Sequence, residues 1–333
     1  MDCFIINKIN CESTITSLCS NQNNFLFCGS EDGAVKLLKL NFRDIKKHSD
    51  ISFKQHKTKI THMTWNENYK KLATADDAGI LCVWEFDGKK SPVLEMINNR
   101  ESSFISGLKW SNNGRYILFS YNDGHVIVGK VDGNRHWGKN IKSQIYLLEW
   151  SPDDKFILFS ANNSNILVYS DLGDKVSELK LEESLKCISI VNMSWSAGNV
   201  YKPLMISFKN GIILLYDDYV DNTPLKLETE ISYVIHSVRN SRGDIIAVAG
   251  ENEVILYSIT DGKKLGVLNS HSINTICWFN KGENLAIASD NKIIVGFVKP
   301  NYKFTYFNDT LVYSLSEISG YVLKYYINIE SIL

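Results

Sequence analysis

Seven histidines and seven cysteines are the side chains of this sequence best suited to catalysis or metal binding. The cysteines are widely separated and include no Cys-x-x-Cys pair, so they predict neither a zinc site nor a disulfide framework. The histidines lack metal-binding spacings such as His-Glu-x-x-His. Gly-x-Ser-x-Gly, Gly-x-x-x-x-Gly-Lys-Ser/Thr and Gly-x-Gly-x-x-Gly are also absent. The sequence therefore predicts no catalytic residue, no metal and no cofactor.

The charge and hydropathy of the sequence limit the classes of partner that we expect this protein to bind. The formal net charge is −1, and no long run of like charge marks a nucleic-acid groove or a polybasic membrane patch. The sequence also contains no Arg-Arg pair, which is the signature of one class of phosphoinositide-binding proteins. The longest apolar runs, such as Ile212–Tyr216, have strand length and are too short to cross a bilayer. We expect a reduced, cytoplasmic protein that binds no nucleic acid and does not insert into membranes.

A six-residue pattern recurs seven times and indicates how the chain is organised. The first residue of each copy is Ile, the fourth is apolar and the sixth is Trp in five copies, with steps of 45, 45, 40, 45, 41 and 42 residues. Repeats of about 40–45 residues are typical of propellers in which each repeat forms one four-stranded blade. The copies are Ile15–Ser20, Ile60–Trp65, Ile105–Trp110, Ile145–Trp150, Ile190–Trp195, Ile231–His236 and Ile273–Trp278.

The pattern predicts an all-β, seven-bladed WD-repeat propeller at residues 1–300. Each copy starts a radial strand whose second, fourth and sixth side chains share one face, so we interpret the Trp series as core and not as a platform for bases or sugars. Apolar strands and Asn-Gly or Asp-Gly turns, including Asp87-Gly88, complete each blade. Blade seven lacks one strand, and Cys3–Ile9 is predicted to complete it and close the ring.

The structural tetrad of WD repeats, made of His, Ser or Thr, Asp and Trp, looks eroded in this sequence. His56 with Thr74 and Trp84 fits blade two, and His271 precedes the last first strand, but we find no blade with all four residues. These histidines are interpreted as hydrogen-bonding links between blades.

Two segments depart from the repeat pattern and carry the candidate site. They are Glu95–Arg100, between blades two and three, and Val131–Lys139, which leads into the outer strand of blade three. Cations and an aromatic anchor favour an interaction patch on the rim, because such residues are enriched at interface hot spots. The alternative interpretation is that they only hold blade three in place. The patch residues are Asn98, Asn99, Arg100, Arg135, His136 and Trp137.

These segments resemble the N-terminal propeller of the large WD-repeat subunit of intraflagellar transport complex A. The resemblance runs in register from residue 4 to about residue 315, and a tubby-like protein with related repeats is a more distant candidate. Further segments that carry the resemblance are Thr64–Leu72, Gly129–Asn134, Lys299–Phe304 and Asn308–Tyr313.

The resemblance implies a non-enzymatic scaffold in retrograde ciliary transport and in the import of ciliary membrane cargo. The implied partners are other subunits of the complex and protein cargo, at the cilium or its base, with membrane association only through the complex. Family members continue into a second propeller and a helical-repeat tail, so residues 301–333 are expected to begin a truncated second propeller. By spacing alone, Ile318–Tyr321 begins an eighth copy 45 residues after Ile273, but no blade follows it in the sequence. The alternatives are a generic adaptor propeller of the vesicle-coat or ubiquitin-ligase type, and an enzyme or lipid-binding propeller.

Overall fold

Seven four-stranded antiparallel sheets form a closed ring in the computed structural model of this chain. The structure describes residues 2–22, 25–40, 48–86, 92–100, 103–161, 165–198, 200–220, 223–299, 303–307, 310–314 and 323–326. The seven-bladed propeller predicted from the sequence is confirmed. No helix among these residues is long and apolar enough to cross a membrane.

Each blade runs outward from its first strand, which lines the ring's central channel. Blade one contains β2 (Ile15–Ser20), β3 (Phe25–Ser30), β4 (Ala34–Leu40) and β5 (His48–Lys54). Blade two contains β6 (Ile60–Asn66), β7 (Lys71–Asp76), β8 (Ile80–Glu85) and β9 (Val93–Asn99). Blade three contains β10 (Ile105–Trp110), β11 (Tyr116–Tyr121), β12 (His125–Lys130) and β13 (Arg135–Asn140). The turn predicted at Asp87-Gly88 lies outside the described residues.

The remaining blades follow the same order. Blade four contains β14 (Ile145–Trp150), β15 (Phe156–Ala161), β16 (Asn165–Ser170) and β17 (Lys175–Leu179). Blade five contains β18 (Ile190–Trp195), β19 (Leu204–Phe208), β20 (Ile212–Tyr216) and β21 (Leu225–Glu228). Blade six contains β22 (His236–Arg239), β23 (Ile245–Ala249), β24 (Glu253–Ser258) and β25 (Lys264–Asn269). Short 3-10 turns lie at Glu183–Leu185 and Asn280–Gly282.

Blade seven joins the two ends of the ring. It contains β26 (Ile273–Phe279), β27 (Asn284–Ser289), β28 (Lys292–Lys299) and, as its outer strand, β1 (Asp2–Asn10). The register of β1 on β28 runs from Asp2 opposite Lys299 to Asn10 opposite Lys292. The predicted closure is confirmed, and it covers an edge that would otherwise be open.

A separate three-stranded sheet follows the ring. It contains β29 (Lys303–Phe307), β30 (Thr310–Ser314) and β31 (Leu323–Tyr326) in consecutive antiparallel order. The eighth copy predicted at 318–321 lies outside the described residues.

The hydrophobic core is divided among the interfaces between blades. The described residues form seven buried clusters, and each cluster combines side chains from two neighbouring blades. Trp150, which is 1% exposed, packs in the cluster between blades three and four. The interpretation of the Trp series as core is therefore confirmed for this position, and the blades depend on their neighbours for burial.

A β-bulge changes which positions of the repeat share a face. In blade two, Ile60 lies opposite Asp76 and His62 lies opposite Ala75, so two residues of β6 are accommodated against one of β7. The same shift occurs after the first residue of the pattern in blades one, three, four, five and seven. Positions one, four and six therefore share the core face. The expectation that position two lies on that face was wrong.

The sixth copy of the pattern is also shifted from its predicted position. Arg239 lies opposite Ile246 at the end of β22, which is the place that Trp110 occupies opposite Ile117 in blade three. The copy therefore runs from Val234 to Arg239 and not from Ile231 to His236. In this blade the first residue is Val and the sixth is Arg.

Arg239 links blades as a tryptophan does elsewhere in the ring. The indole N–H of Trp278 donates to the carbonyl of Val238 in the preceding blade at 3.1 Å. The guanidinium of Arg239 donates to the carbonyl oxygens of Lys202, at 2.6 Å, and Tyr201 in blade five, and to Gly243 within blade six. Desolvation by burial lowers the pKa of Arg239 to about 10, so the side chain stays charged at neutral pH.

We expect Arg239→Lys to lower the free energy of unfolding by about 1.5–3 kcal/mol, because one ammonium group cannot replace the guanidinium fork that reaches three carbonyl groups. Urea unfolding followed by tryptophan fluorescence measures this change. Arg242→Lys is the matched control, because Arg242 makes an exposed ion pair with Glu283 at 2.8 Å. Equal effects of the two substitutions would contradict the linking role.

Candidate interaction surfaces

The central channel is lined by residues of the first strands, from Thr16–Ser20 in blade one to Asn274–Cys277 in blade seven. It has a volume of about 710 Å³. Its charged side chains include Lys109 and Glu149 from neighbouring blades, whose Nζ and Oε2 atoms are 2.6 Å apart. Burial raises the pKa of Glu149, and the Lys109 ammonium opposes that shift. Because these two groups neutralise each other, the channel wall offers no uncompensated charge at this point.

The channel thiols and histidines are not set up for catalysis. Burial raises the pKa of Cys19 to about 12 and that of Cys277 to about 11, so neither is a thiolate nucleophile at neutral pH. Burial lowers the pKa of His62 and His236 to about 4, so both rings are neutral. Across the described ranges, no group of three or more His, Cys, Asp or Glu side chains could hold a metal ion.

These two histidines make the stability depend on pH. Between pH 6.5 and 4 the unfolded chain binds protons at His62 and His236 that the folded chain does not, so acidification destabilises the fold. We expect each histidine to lower the free energy of unfolding by about 3 kcal/mol across this window. The urea concentration at the unfolding midpoint, measured from pH 7.5 to 4, should fall less steeply with decreasing pH in the double variant His62→Gln/His236→Gln than in the parent protein. His271→Gln, at an exposed site, is the control and should leave the slope unchanged.

Blade two contains a complete WD-repeat tetrad. His56 Nδ1 lies 2.9 Å from Asp76 Oδ2, and His56 Nε2 lies 2.8 Å from Thr74 Oγ1. The indole N–H of Trp84 donates to Thr74 Oγ1 at 3.0 Å. All four side chains are buried. The prediction that no blade has all four residues was wrong, because Asp76 at the end of β7 supplies the carboxylate.

The faces of the ring are named here by their turns. The upper face carries the links between blades and the turns between second and third strands. The lower face carries the turns between first and second strands and those between third and fourth strands. Links and turns on the upper face are held by backbone hydrogen bonds, such as Asn122 N–H to the Phe104 carbonyl at 3.0 Å.

Asn98, Asn99 and Arg100 lie where the outer strand of blade two reaches the upper face. Arg100 donates to Asp123 Oδ2 at 2.9 Å, and its guanidinium lies 5.5 Å from the centre of the Tyr121 ring. Asn98 Oδ1 accepts from the Tyr121 hydroxyl at 3.1 Å, whereas the side chain of Asn99 is exposed. This half of the predicted patch fastens blade two to blade three, and Asn99 is its most accessible member.

Arg135, His136 and Trp137 begin the outer strand of blade three at the lower face. The Trp137 indole N–H donates to the Asp171 carbonyl of blade four at 2.6 Å. A Cβ atom on Gly173 would lie only 3.1 Å from the Trp137 ring, so the glycine leaves room for the indole. The His136 ring lies 4.9 Å from that of Tyr116, and Arg135 is exposed. The Trp137 contacts hold the outer strand of blade three against blade four.

The structure places the two halves of the predicted patch at opposite ends of blade three. Arg100 lies 3.0 Å from the ring nitrogen of His125, which begins β12, whereas Arg135 is paired with Gly129 near the end of β12. Four residues of extended strand separate these ends by about 13 Å. The six residues do not form one contiguous surface. A role in binding remains a prediction for each half.

The lower face of blades four and five exposes apolar side chains that the sequence reasoning did not select. Leu172, Tyr201 and Val220 lie in turns of these blades and are 66%, 53% and 62% exposed. The sequence signal was weak, because each is a single apolar residue within a polar turn.

The fold and the complete tetrad define a WD-repeat β-propeller, a class of scaffold domains. The family model described as WDR35/TULP4 N-terminal matches residues 3–299, and the chain belongs to this propeller family.

Individual relatives match over most of the chain. WD repeat-containing protein 35 from human is 32% identical over 346 residues, which cover 93% of this chain and 29% of the relative, and the rat protein shows the same values. Tubby-related protein 4 from mouse is 28% identical over 307 residues, which cover 76% of this chain and 19% of the relative. The chain thus spans less than a third of the length of these relatives.

Proposed function

We propose that this propeller is a non-enzymatic scaffold that belongs to intraflagellar transport complex A and acts in retrograde ciliary transport and ciliary membrane-cargo import. The observation that carries the proposal is the 32% identity to WD repeat-containing protein 35 over 93% of the chain. The neutral histidines and protonated thiols of the channel favour binding over catalysis.

The scaffold would bind other subunits of the complex and protein cargo on its faces and rim. A standard-size protein interface buries about 1,600 Å² in total, which one face of a propeller can provide. The proposed location is the cytoplasm with the cilium or its base, and any membrane association would come through the complex.

Each half of the predicted patch is proposed as a separate contact point. Asn99 on the upper face and Arg135 on the lower face are exposed and lie beside side chains that hold the backbone in place. Arg135→Glu and Asn99→Asp therefore test the two surfaces with little effect on the fold.

Residues 1–300 are proposed to be one propeller, and residues 301–333 the start of a second. The consecutive antiparallel order of β29, β30 and β31 supports the second assignment, because blades are built in this order.

Affinity purification tests the function directly. The tagged protein, with its native continuation if the reading frame has one, is recovered from ciliated cells of its own species. A tagged, unrelated seven-bladed propeller serves as the control. Recovery of complex A subunits above that control is the expected result. Recovery of none would overturn the ciliary assignment.

A generic adaptor propeller is the second candidate. The match to tubby-related protein 4 supports this candidate, because the family model takes in both WD repeat-containing protein 35 and tubby-related protein 4. Membership of the family therefore does not by itself imply one role. Reproducible recovery of vesicle-coat or ubiquitin-ligase subunits, without complex A, would favour this alternative.

A further inference from the structure

The lower face of blades four and five concentrates the most exposed large hydrophobic side chains of the described chain. Leu172, Tyr201 and Val220 are three of the four most exposed. The fourth, Tyr233, lies on the upper face with Lys209 Nζ 4.5 Å from its ring centre. Isolated apolar side chains are normal on protein surfaces, so what matters is whether these three belong to one surface.

Partly buried aromatic rings pack where blades four and five meet at this face. The Tyr219 ring, next to Val220 in sequence, lies 4.9 Å from the Phe156 ring of blade four and 6.0 Å from the Trp195 ring. Phe156 pairs with Ser170 across blade four, two residues before Leu172.

A salt bridge adds Tyr201 to this surface. Lys202 Nζ lies 2.6 Å from Asp217 Oδ2, which ties the turn that contains Tyr201 to the turn that contains Val220. We call the resulting surface the blade-five platform. Its residues are Phe156, Leu172, Trp195, Tyr201, Tyr219 and Val220.

The turns around the platform are negatively charged. Their described residues include two lysines, Lys155 and Lys202, and six aspartates, which gives a net charge of −4. The guanidinium of Arg239, which contacts the backbone of Tyr201 and Lys202, reduces this to −3, although the whole chain has a net charge of only −1. The lower-face turns of blade six differ, because their two aspartates, Asp244 and Asp261, are balanced by Arg242 and Lys263. The six aspartates are Asp153, Asp154, Asp171, Asp174, Asp217 and Asp218.

We propose that the blade-five platform docks a basic polypeptide segment, with an aliphatic or aromatic anchor flanked by Lys or Arg. The carboxylates disfavour nucleic acids and anionic lipid surfaces, whose phosphates they would repel. Lys and Arg side chains complement the aspartates and can also stack on the Trp195 and Tyr219 rings. This inference rests on the scaffold part of the proposed function and not on its ciliary part.

Selection from a random peptide library tests the proposal without knowledge of the natural partner. The purified 333-residue chain is the bait, and phage-displayed random 16-residue peptides are the probe. The expected result is enrichment of peptides rich in Lys and Arg with at least one Leu, Phe, Tyr or Trp. Synthetic copies should lose affinity when NaCl is raised from 50 to 200 mM.

Two double variants locate the binding surface. Tyr201→Ser/Val220→Ser removes exposed apolar groups and should weaken binding of the selected peptides tenfold or more. Asp174→Asn/Asp218→Asn removes two charges but keeps the acceptor for the Val220 N–H, and should weaken binding about threefold to tenfold.

Matched controls are available on the same ring. Asp132→Asn/Asp261→Asn makes the same change in the equivalent turns of blades three and six, and Tyr233→Ser makes an equivalent change on the upper face. These controls should leave the affinity within a factor of two. The proposal is overturned if no peptide is enriched, if enriched peptides lack positive charge, or if the platform variants behave like the controls. Loss of peptide binding is distinct from failure to recover complex A subunits, so each proposal can fail alone.

Discussion

Asp76→Ala is expected to lower the free energy of unfolding by about 3–5 kcal/mol, because it breaks a buried hydrogen-bonded pair and leaves one partner behind. Asp76 is fully buried, with its Oδ2 atom 2.9 Å from His56 Nδ1 and its Oδ1 atom accepting the Ile80 N–H at 2.8 Å. Both partner groups lose their acceptor in the variant. Chemical denaturation monitored by circular dichroism measures the loss.

Asp77→Ala is the matched control for this result. Asp77 is the next residue and its side chain is exposed, so the change should stay within about 0.5 kcal/mol. A double-mutant cycle between Asp76→Ala and Trp84→Phe then tests whether the tetrad acts as one unit. We expect the double variant to lose less unfolding free energy than the sum of the losses of the two single variants, because both substitutions act through Thr74 and His56. Additive losses would show that the four residues contribute independently.

Removal of residues 1–10 is expected to destabilise the ring and to cause self-association. The deletion uncovers β28 along eight paired positions and removes Ile9, which is 4% exposed, from the core between blades seven and one. An uncovered strand edge pairs readily with another chain. Light scattering after gel filtration should therefore show dimers or larger species in place of a monomer.

Point variants distinguish the stability lost with the buried side chain of Ile9 from the self-association caused by the uncovered edge of β28. Ile9→Ala should cost about 2–5 kcal/mol while the protein stays monomeric, because the backbone pairing remains. Ile5→Ala, in the same strand but 40% exposed, should cost less than about 1 kcal/mol. A synthetic peptide of residues 2–11 should return the shortened protein to a monomer. A shortened protein that stays monomeric, with an unchanged unfolding midpoint, would contradict the role assigned to β1.

Repeat spacing predicted the ring, its seven blades and its closure, but not the detailed register of every first strand. The β-bulge places positions one and four on one face, and a regular strand does not allow this spacing. In the sixth copy, Arg239 replaces the aromatic residue, and the Ile at 231 matched the pattern by chance three residues too early. A backbone irregularity and a change of residue type were therefore both invisible to pattern matching.

The candidate surfaces were less predictable than the fold. Asn98–Arg100 and Arg135–Trp137 were selected because they break the repeat, yet strand register separates them by the length of blade three. The blade-five platform depends on Tyr219 meeting Phe156 across a blade interface, 63 positions apart in the chain. Pairings of this kind arise from the angle between neighbouring blades, which the sequence does not record.

The position of β1 also determines the order in which the molecule can be made. Its partner, β28, is synthesised almost 300 residues later, because Asp2 lies opposite Lys299. At typical synthesis rates of about 5–20 residues per second, β1 waits roughly 15–60 seconds for that partner. Six blades can form during this interval, while a nine-residue strand containing Phe4, Ile5, Ile6 and Ile9 has no sheet to join. Residues 2–10 therefore have to avoid pairing with other unpaired strands of the nascent chain until the last blade has been synthesised.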